Sequence, residues 1–125
     1  MGGLKRLLST GEVLHPDERA AVMNRLHPEF INYYGSTEGG GITVLLPEHI
    51  DSAAASVGEP VFATEVQVVD EAGLPLAPDA AGLVRYRGPA VADSFHNDPE
   101  ASQEAFRDGW FYPGDIGKLD QDGRL

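Results

Sequence analysis

The sequence predicts an α/β fold in which a strand–helix–strand piece of a layered α/β subdomain is followed by a small antiparallel β subdomain. Two observations support this prediction. The first half orders an apolar run, a helical pattern and a second apolar run, whereas the second half has short alternating runs separated by turn residues. The boundary is predicted between Pro47 and Gly58, with small residues over 53–56 as a linker or short helix. Residues 1–50 and 57–125 then form the two parts.

The strand–helix–strand unit begins with an apolar run over residues 4–9, which predicts a strand that ends in a Ser-Thr-Gly turn. Pro16 predicts the first turn of a helix, because its missing N–H would have no intrahelical partner there. Three apolar residues at helical spacing predict the inner face of that helix: Ala21, Val22 and Leu26. A second strand is predicted over residues 30–34, ending at Gly35. The two strands are expected to be parallel, because a helix joins them.

The second half has the pattern of antiparallel β structure. Strands are predicted over residues 65–70 and 82–88, where apolar and polar residues alternate. A short helix is predicted over residues 98–106, with Asp98 as its N-cap and a proline at its first position. Two further short segments are expected at 109–111 and 118–120, before a turn at 122–123.

The composition limits the classes of partner. The chain of 125 residues carries 20 acidic residues against 9 basic ones, a net charge of −11 that would repel nucleic acid. It has no cysteine, which removes disulfides, thiolate metal sites and a cysteine nucleophile. No apolar run approaches the length of about 18 residues that a membrane span needs. No signal-peptide pattern opens the chain, so a cytoplasmic location is predicted.

A glycine-rich segment, Tyr-Tyr-Gly-Ser-Thr-Glu-Gly-Gly-Gly over residues 33–41, follows the second predicted strand. The loop that leaves the carboxyl end of a parallel strand is where α/β sheets bind ligands. There an aromatic ring can stack on a purine, a hydroxyl can contact a phosphate and a carboxylate can bind Mg²⁺. Glycines let the backbone approach a ligand closely. The alternative is a glycine-rich connector whose polar residues bind nothing.

A second candidate segment is Gly-Trp-Phe-Tyr-Pro-Gly-Asp over residues 109–115. Asp115 follows a Pro-Gly turn, where a carboxylate can present both oxygens to the vicinal hydroxyls of a ribose. The alternative is that Asp115 closes the turn by bonding to its own backbone, as aspartates in turns commonly do. Trp110 and Phe111 are predicted to lie in the core.

The order of these segments resembles the adenylate-forming superfamily of acyl-CoA synthetases, luciferases and peptide-synthetase adenylation domains. Residues 34–38 are similar to its Tyr-Gly-x-Thr-Glu signature, and residues 82–89 to its Gly-Glu-(aliphatic)-x-x-Arg-Gly-Pro strand. Residues 98–111 are similar to the stretch that leads to its Thr-Gly-Asp. Residues 9–14 lie where the family has a Gly-Gly-Ala/Glu-Pro-Leu loop beside adenine. The four motifs occur in the family's order and cover nearly the whole chain.

The resemblance implies roles for the matching residues. The implied nucleotide-binding set is Gly11, Glu12, Tyr34, Gly35, Thr37 and Asp115. Tyr34 would stack on adenine, opposite the loop at Gly11 and Glu12, and Asp115 would hold the ribose hydroxyls. Thr37 would contact phosphate and Glu38 would bind Mg²⁺, and these two are the expected catalytic residues. The glycines at 39–41 would lie along an acyl pocket, where small residues leave room for a substrate.

The implied activity is that of an ATP-dependent acyl-CoA ligase, which activates a carboxylic acid as its acyl-adenylate and transfers the acyl group to coenzyme A. The implied cofactors are ATP or AMP, Mg²⁺ and coenzyme A, and the implied substrate is a small carboxylic acid. Two alternatives remain open. One is an adenylation domain that loads a carrier-protein thiol, and the other is a non-catalytic nucleotide-binding or scaffold module.

The sequence departs from the family's pattern at several motif positions. Leu83 replaces a glutamate, Ser94-Phe95 replaces Gly-Tyr and Pro113 replaces the threonine of Thr-Gly-Asp. Two lysine-bearing regions of the family, an upstream phosphate loop and a C-terminal domain, have no counterpart in the sequence. Because attack on the α-phosphate depends on positioning and charge neutralisation, negligible activity is expected for this chain alone. Open sheet edges are expected to pair two copies into a homodimer.

Overall fold

The computed structural model describes residues 3–12, 14–53 and 55–125, which form two β-sheets and short helices. The elements in chain order are β1 (Leu7–Ser9), α1 (Pro16–Arg25), β2 (Phe30–Ser36), β3 (Gly40–Leu45), a 3₁₀ turn (Pro47–His49), β4 (Glu59–Pro60), β5 (Glu65–Val69), β6 (Gly82–Arg87), α2 (Pro99–Ala105), β7 (Phe106–Arg107), β8 (Trp110–Phe111) and β9 (Ile116–Gly117). Val13 of the first motif and Ala54 of the predicted linker lie outside the described residues. This mixture of strands and helices confirms the predicted α/β class.

Sheet A contains β1, β2, β3 and β4 in that order. β1 and β2 are parallel, with Leu7 opposite Phe30, so the predicted strand–helix–strand unit is confirmed. The prediction that β2 ends at Gly35 was wrong, because β2 continues to Ser36 and β3 returns antiparallel to it. Gly35 pairs with Gly41, and the register shifts between Tyr34 and Gly35. A glycine need not end a strand when a partner strand completes its ladder of hydrogen bonds.

Helix α1 packs one face on sheet A. Its side chains Val22 and Met23 contact a buried cluster formed by Phe30, Leu45, Ile50 and Ala53. The assignment of Leu26 to this face was wrong, because Leu26 follows the last helical residue and is 55% exposed. Arg19 is buried instead, and its Nη1 donates to the carbonyl oxygen of Ser56 at 2.8 Å. This bond ties the helix to the segment that precedes β4.

Sheet B confirms the antiparallel second half. β6 pairs with β5 on one side and with β8 and β9 on the other, and β7 pairs with β8. Asp98 caps α2 as predicted, since its Oδ1 accepts a hydrogen bond from the backbone N–H of Ala101 at 3.0 Å. Trp110 and Phe111 are buried, as predicted. The guanidinium groups of Arg85 and Arg87 lie 4.4 and 4.3 Å from the Trp110 ring and cover it.

The two sheets share one hydrophobic cluster. Its buried members are Ile42 from sheet A and Val66, Val68, Val84, Tyr86 and Phe111 from sheet B. Two backbone hydrogen bonds join the segment before β4 to Leu125. The Val57 N–H donates to the Leu125 carbonyl oxygen at 2.7 Å, and the Leu125 N–H donates to the Gly58 carbonyl oxygen at 3.0 Å. The candidate ligand residues therefore gather where the two sheets meet. The domain boundary stays a prediction.

The outer strands of sheet A are β1 and β4. Each leaves one edge without a partner strand within the described part of the chain, and pairing of two copies through these edges stays a prediction. Neither α1 nor α2, in the residues that the structure describes, is long and apolar enough to cross a membrane.

Candidate functional site

A cavity of about 260 Å³ lies between sheet A and the start of β9. Its lining residues are Gly11, Glu12, Leu14, Asn32, Tyr33, Tyr34, Gly35, Val57 and Asp115. Five of the six residues predicted to bind a nucleotide therefore share one cavity, although they come from three separate stretches of the chain. We call this space the adenine-side cavity.

Tyr34 and Asp115 are joined directly across the cavity. The hydroxyl of Tyr34 donates a hydrogen bond to Oδ2 of Asp115, which lies 81 residues later in the chain. The carboxylate of Asp115 thus bonds to Tyr34 and not to the backbone of its own turn, which disfavours the turn-closing alternative. Burial raises the pKa of Tyr34, and the adjacent carboxylate raises it further, so the hydroxyl stays protonated and acts as a donor. The backbone of Asp115 is held as well, since its carbonyl oxygen accepts from Val84 N–H at 3.0 Å.

Asn32 is a cavity residue that the sequence analysis missed. It is 4% exposed, and its Nδ2 donates to the Ser9 carbonyl oxygen at 3.5 Å. Its Oδ1 has no hydrogen-bond partner among the described residues. A buried acceptor without a partner costs about 1–3 kcal/mol, so this oxygen is a candidate acceptor for a ligand that reaches it. The signal was available, because side chains two residues apart on a strand share a face and Asn32 stands two residues before Tyr34.

A second cavity of about 470 Å³ adjoins the turn between β2 and β3. Ser36 and Glu38 line one side of it, and Gly114 lines another. Gly114 lines this cavity and Asp115 lines the adenine-side cavity, so the two cavities adjoin consecutive residues of the chain. We call this second space the turn-side cavity. Thr37 is exposed at the turn and lines neither cavity, so the structure does not bring it together with the other predicted residues.

Glu38 is the predicted Mg²⁺ ligand, and its surroundings can be compared with what that ion needs. Among the described residues there is no group of three or more His, Cys, Asp or Glu side chains that could hold a metal. Mg²⁺ commonly binds through one or two carboxylates together with waters and substrate phosphates. A single half-buried glutamate beside an open cavity fits that mode of binding and does not fit an all-protein metal site.

The glycines that follow Glu38 make room for tyrosines. A Cβ at position 39 would lie 1.9 Å from the hydroxyl oxygen of Tyr86, and one at position 41 would lie 1.4 Å from that of Tyr33. Real Cβ atoms never approach so closely, so both positions require glycine as the chain is packed. The expectation that these glycines lie along an acyl pocket stays a prediction; at Gly39 and Gly41 the Cβ direction faces a protein side chain.

Comparison with known proteins shows the family of the chain. The model of the AMP-binding enzyme family matches residues 1–96. The chain belongs to the AMP-binding enzyme family. Relatives of the chain include the 2-succinylbenzoate–CoA ligase of Geobacillus kaustophilus, which is 42% identical over 93 residues. The feruloyl-CoA synthase of an Amycolatopsis species is 34% identical over 124 residues, which cover 98% of the chain.

A solved structure shares the fold of the chain. The O-succinylbenzoate coenzyme A synthetase of Bacillus subtilis, in complex with ATP and magnesium ion, superimposes with a TM-score of 0.87 and 28% identity over 97% of the chain. The chain spans only part of these proteins: 19% of the Geobacillus ligase, 25% of the feruloyl-CoA synthase and 25% of the Bacillus protein. For the family, the Bacillus complex supports ATP and magnesium as ligands.

Proposed function

We propose that this chain forms part of the nucleotide site of an AMP-forming acid–thiol ligase, which activates a carboxylic acid and transfers it to coenzyme A. The observation that carries the proposal is the meeting of Gly11, Glu12, Tyr34 and Asp115 in one cavity, with Glu38 in the cavity next to it. The chain spans 19–25% of its first relatives, so the complete reaction is proposed for a longer enzyme.

In this proposal the adenine-side cavity holds the nucleoside. The Tyr34 ring stacks on the purine, a contact that contributes about 1–3 kcal/mol in other nucleotide sites. The buried Oδ1 of Asn32 accepts from the exocyclic amine of adenine. Asp115 accepts from the ribose hydroxyls. Since a carboxylate has about four lone-pair positions, it keeps its bond to Tyr34 while it binds the sugar.

The turn-side cavity would hold the phosphates. Glu38 would hold Mg²⁺, which would neutralise phosphate charge there. This neutralisation matters because the chain has a net charge of −11. The carboxylate oxygen of the acid attacks the α-phosphorus of ATP, the bond to pyrophosphate breaks, and the thiol then displaces AMP from the acyl-adenylate. Glu38 would position the reacting phosphate in this cavity, which is the main task of a protein in phosphoryl transfer. Thr37, which is exposed beside Glu38 in the same turn, would contact phosphate from outside the cavity.

Coenzyme A is chosen as the acceptor because the names of both relatives describe the joining of an acid to CoA. Their names include 2-succinylbenzoate and ferulate, so the proposal commits to carboxylic acids as a class. We also propose a cytoplasmic location, since ATP and coenzyme A are the proposed cosubstrates. A carrier-protein acceptor stays the alternative.

Calorimetric titration of AMP into the chain, with Mg²⁺ present, tests the nucleotide site. Asp115→Ala should weaken AMP binding by about 10- to 100-fold, the usual effect of losing hydrogen bonds to a charged group. Asp51→Ala is the matched control, because it removes the same charge from an exposed turn that lines neither cavity. Equal affinities in the two variants would contradict the role proposed for Asp115. No binding to the wild-type chain would contradict a preformed nucleotide site.

A further inference from the structure

Tyr86 connects sheet B to the turn that carries Thr37 and Glu38. It lies on β6 with 0% exposure, and its ring contacts Phe111 edge to face at a centroid distance of 5.3 Å. Its hydroxyl oxygen lies 2.9 Å from Oγ of Ser36, the last residue of β2. A buried phenol needs a hydrogen-bond partner, and this one finds its partner in the other sheet.

Ser36 passes this contact to the turn. Its Oγ also accepts a hydrogen bond from the backbone N–H of Gly39 at 3.0 Å, which closes the turn around Thr37 and Glu38. A serine hydroxyl has two lone pairs and one hydrogen, so it can bond to Gly39 and Tyr86 at the same time. The hydroxyl of Tyr86 therefore fixes the orientation of the group that closes the turn.

Packing fixes the same turn from two further sides. The Tyr86 hydroxyl occupies the space that a side chain at position 39 would need, since a Cβ there would lie 1.9 Å away. On the other side, the carbonyl oxygen of Glu38 accepts from Ala92 N–H at 2.7 Å. The backbone at Glu38 thus lies between β6 and the loop that follows it.

The charge environment keeps the hydroxyl of Tyr86 protonated. The pKa of Tyr86 is raised to about 12, chiefly by burial and further by the charges of Glu38 and Asp115, while the hydrogen bond with Ser36 acts in the opposite direction. The hydroxyl is therefore protonated at neutral pH. It places no negative charge beside the two carboxylates proposed to bind metal and ribose.

We infer that Tyr86 is a positioning residue that holds the turn of Thr37 and Glu38 in place through Ser36. The positioning follows from the contacts, whereas its importance for ligand binding rests on the proposed function. Nothing in the motif pattern distinguished Tyr86 from the other alternating residues of its strand.

The experiment compares Tyr86→Phe, Ser36→Ala and the double variant with the wild-type chain. Tyr86→Phe keeps the ring in the core and removes only the hydroxyl. Tyr112→Phe is the matched control for the exchange measurement, because it removes a phenolic hydroxyl whose partner is Nη1 of Arg85, at 2.9 Å. The first readout is hydrogen exchange of the Gly39 amide by NMR, with the amide of Val68 in β5 as an internal reference.

Tyr86→Phe should accelerate Gly39 exchange by about fivefold, the effect of losing one hydrogen bond, and should leave Val68 unchanged. In the Ser36→Ala background the same change should have no further effect. The second readout is the ratio of the Kd values for AMP and for ATP with Mg²⁺. Tyr86→Phe should weaken ATP binding by about fivefold relative to AMP. Asp51→Ala, at a residue that lines neither cavity, should leave this ratio unchanged.

The two readouts separate this inference from the proposed function. Unchanged Gly39 exchange in Tyr86→Phe would overturn the inference, whether or not AMP binds. Faster Gly39 exchange with an unchanged ATP-to-AMP ratio would support the positioning by Tyr86 and would contradict the phosphate-binding role proposed for the turn. If the wild-type chain binds no AMP, the proposed nucleotide site fails, and the exchange measurement still decides whether Tyr86 holds the turn.

Discussion

Replacing Gly58 with alanine is expected to destabilise the chain strongly. Gly58 has φ +102°, a conformation that residues with a Cβ rarely adopt. A Cβ at this position would lie 2.0 Å from the carbonyl oxygen of Val44 and 2.4 Å from the backbone nitrogen of Leu45. These are main-chain atoms of β3, which cannot rotate away as a side chain can. The strand pair of β3 and β4 would have to separate locally.

The magnitude follows from two contributions. Placing alanine at positive φ costs about 1–2 kcal/mol. Overpacking in a well-packed region costs about 1–3 kcal/mol, and a contact with backbone lies at the upper end of that range. The expected loss is therefore about 2–5 kcal/mol in the free energy of unfolding. A domain of this kind has about 5–15 kcal/mol in total, so the loss is a large fraction of its stability.

The chain provides a control that isolates the contribution of φ. Gly123 has φ +79°, and a Cβ there would meet no atom within 4 Å, so Gly123→Ala should cost only about 1–2 kcal/mol. Urea unfolding followed by the fluorescence of Trp110, the one tryptophan, measures both variants. Values for Gly58→Ala and Gly123→Ala that agree within about 0.5 kcal/mol would refute the steric argument at Gly58.

Two further predictions concern the protonation of Tyr86 and the contact of Asn32 with the base. The free energy of unfolding should fall as the pH rises from 10.0 toward about 12, because the native state raises the pKa of Tyr86 across that interval and so holds its proton more tightly than the unfolded chain. Over the same pH interval the Tyr86→Phe variant should lose less free energy of unfolding, as measured by urea unfolding. An equal slope of this free energy against pH in both proteins would contradict the raised pKa of Tyr86. Asn32→Ala should reduce the preference for AMP over inosine monophosphate, which lacks the exocyclic amine, by about fivefold in calorimetric titration. An unchanged preference would mean that Asn32 does not contact the base.

The construction of the candidate site suggests how an acidic chain could contain a nucleotide cavity. The proposed ligand residues Tyr34 and Glu38 lie on the β2–β3 hairpin, whereas Asp115 immediately precedes β9. Two of these three side chains are carboxylates, and the chain as a whole carries a net charge of −11. Phosphate binding should therefore depend on Mg²⁺ and on cations from outside this chain, while nucleoside binding should depend on Tyr34, Asn32 and Asp115.

Local sequence signals predicted much of the fold correctly. Pro16 marked the start of α1 and Asp98 the cap of α2, because a missing N–H and a capping carboxylate act within one helical turn. The motif residues Tyr34 and Asp115 were placed in one nucleotide site by resemblance, and the structure brings their side chains into contact. The prediction failed at Leu26, where helical spacing continued beyond the end of the helix.

The sequence by itself determined the family, the strand–helix–strand unit and the candidate ligand residues, since each depends on residue types at short spacing. Only the tertiary structure decided what the glycines after Glu38 do and which buried residues support the site. The side chains of Tyr86 and Tyr33 occupy the space beside Gly39 and Gly41, and no local sequence pattern predicts such a contact. A residue 47 positions away along the chain, as Tyr86 is from Gly39, becomes a neighbour only when the two sheets pack on their shared core.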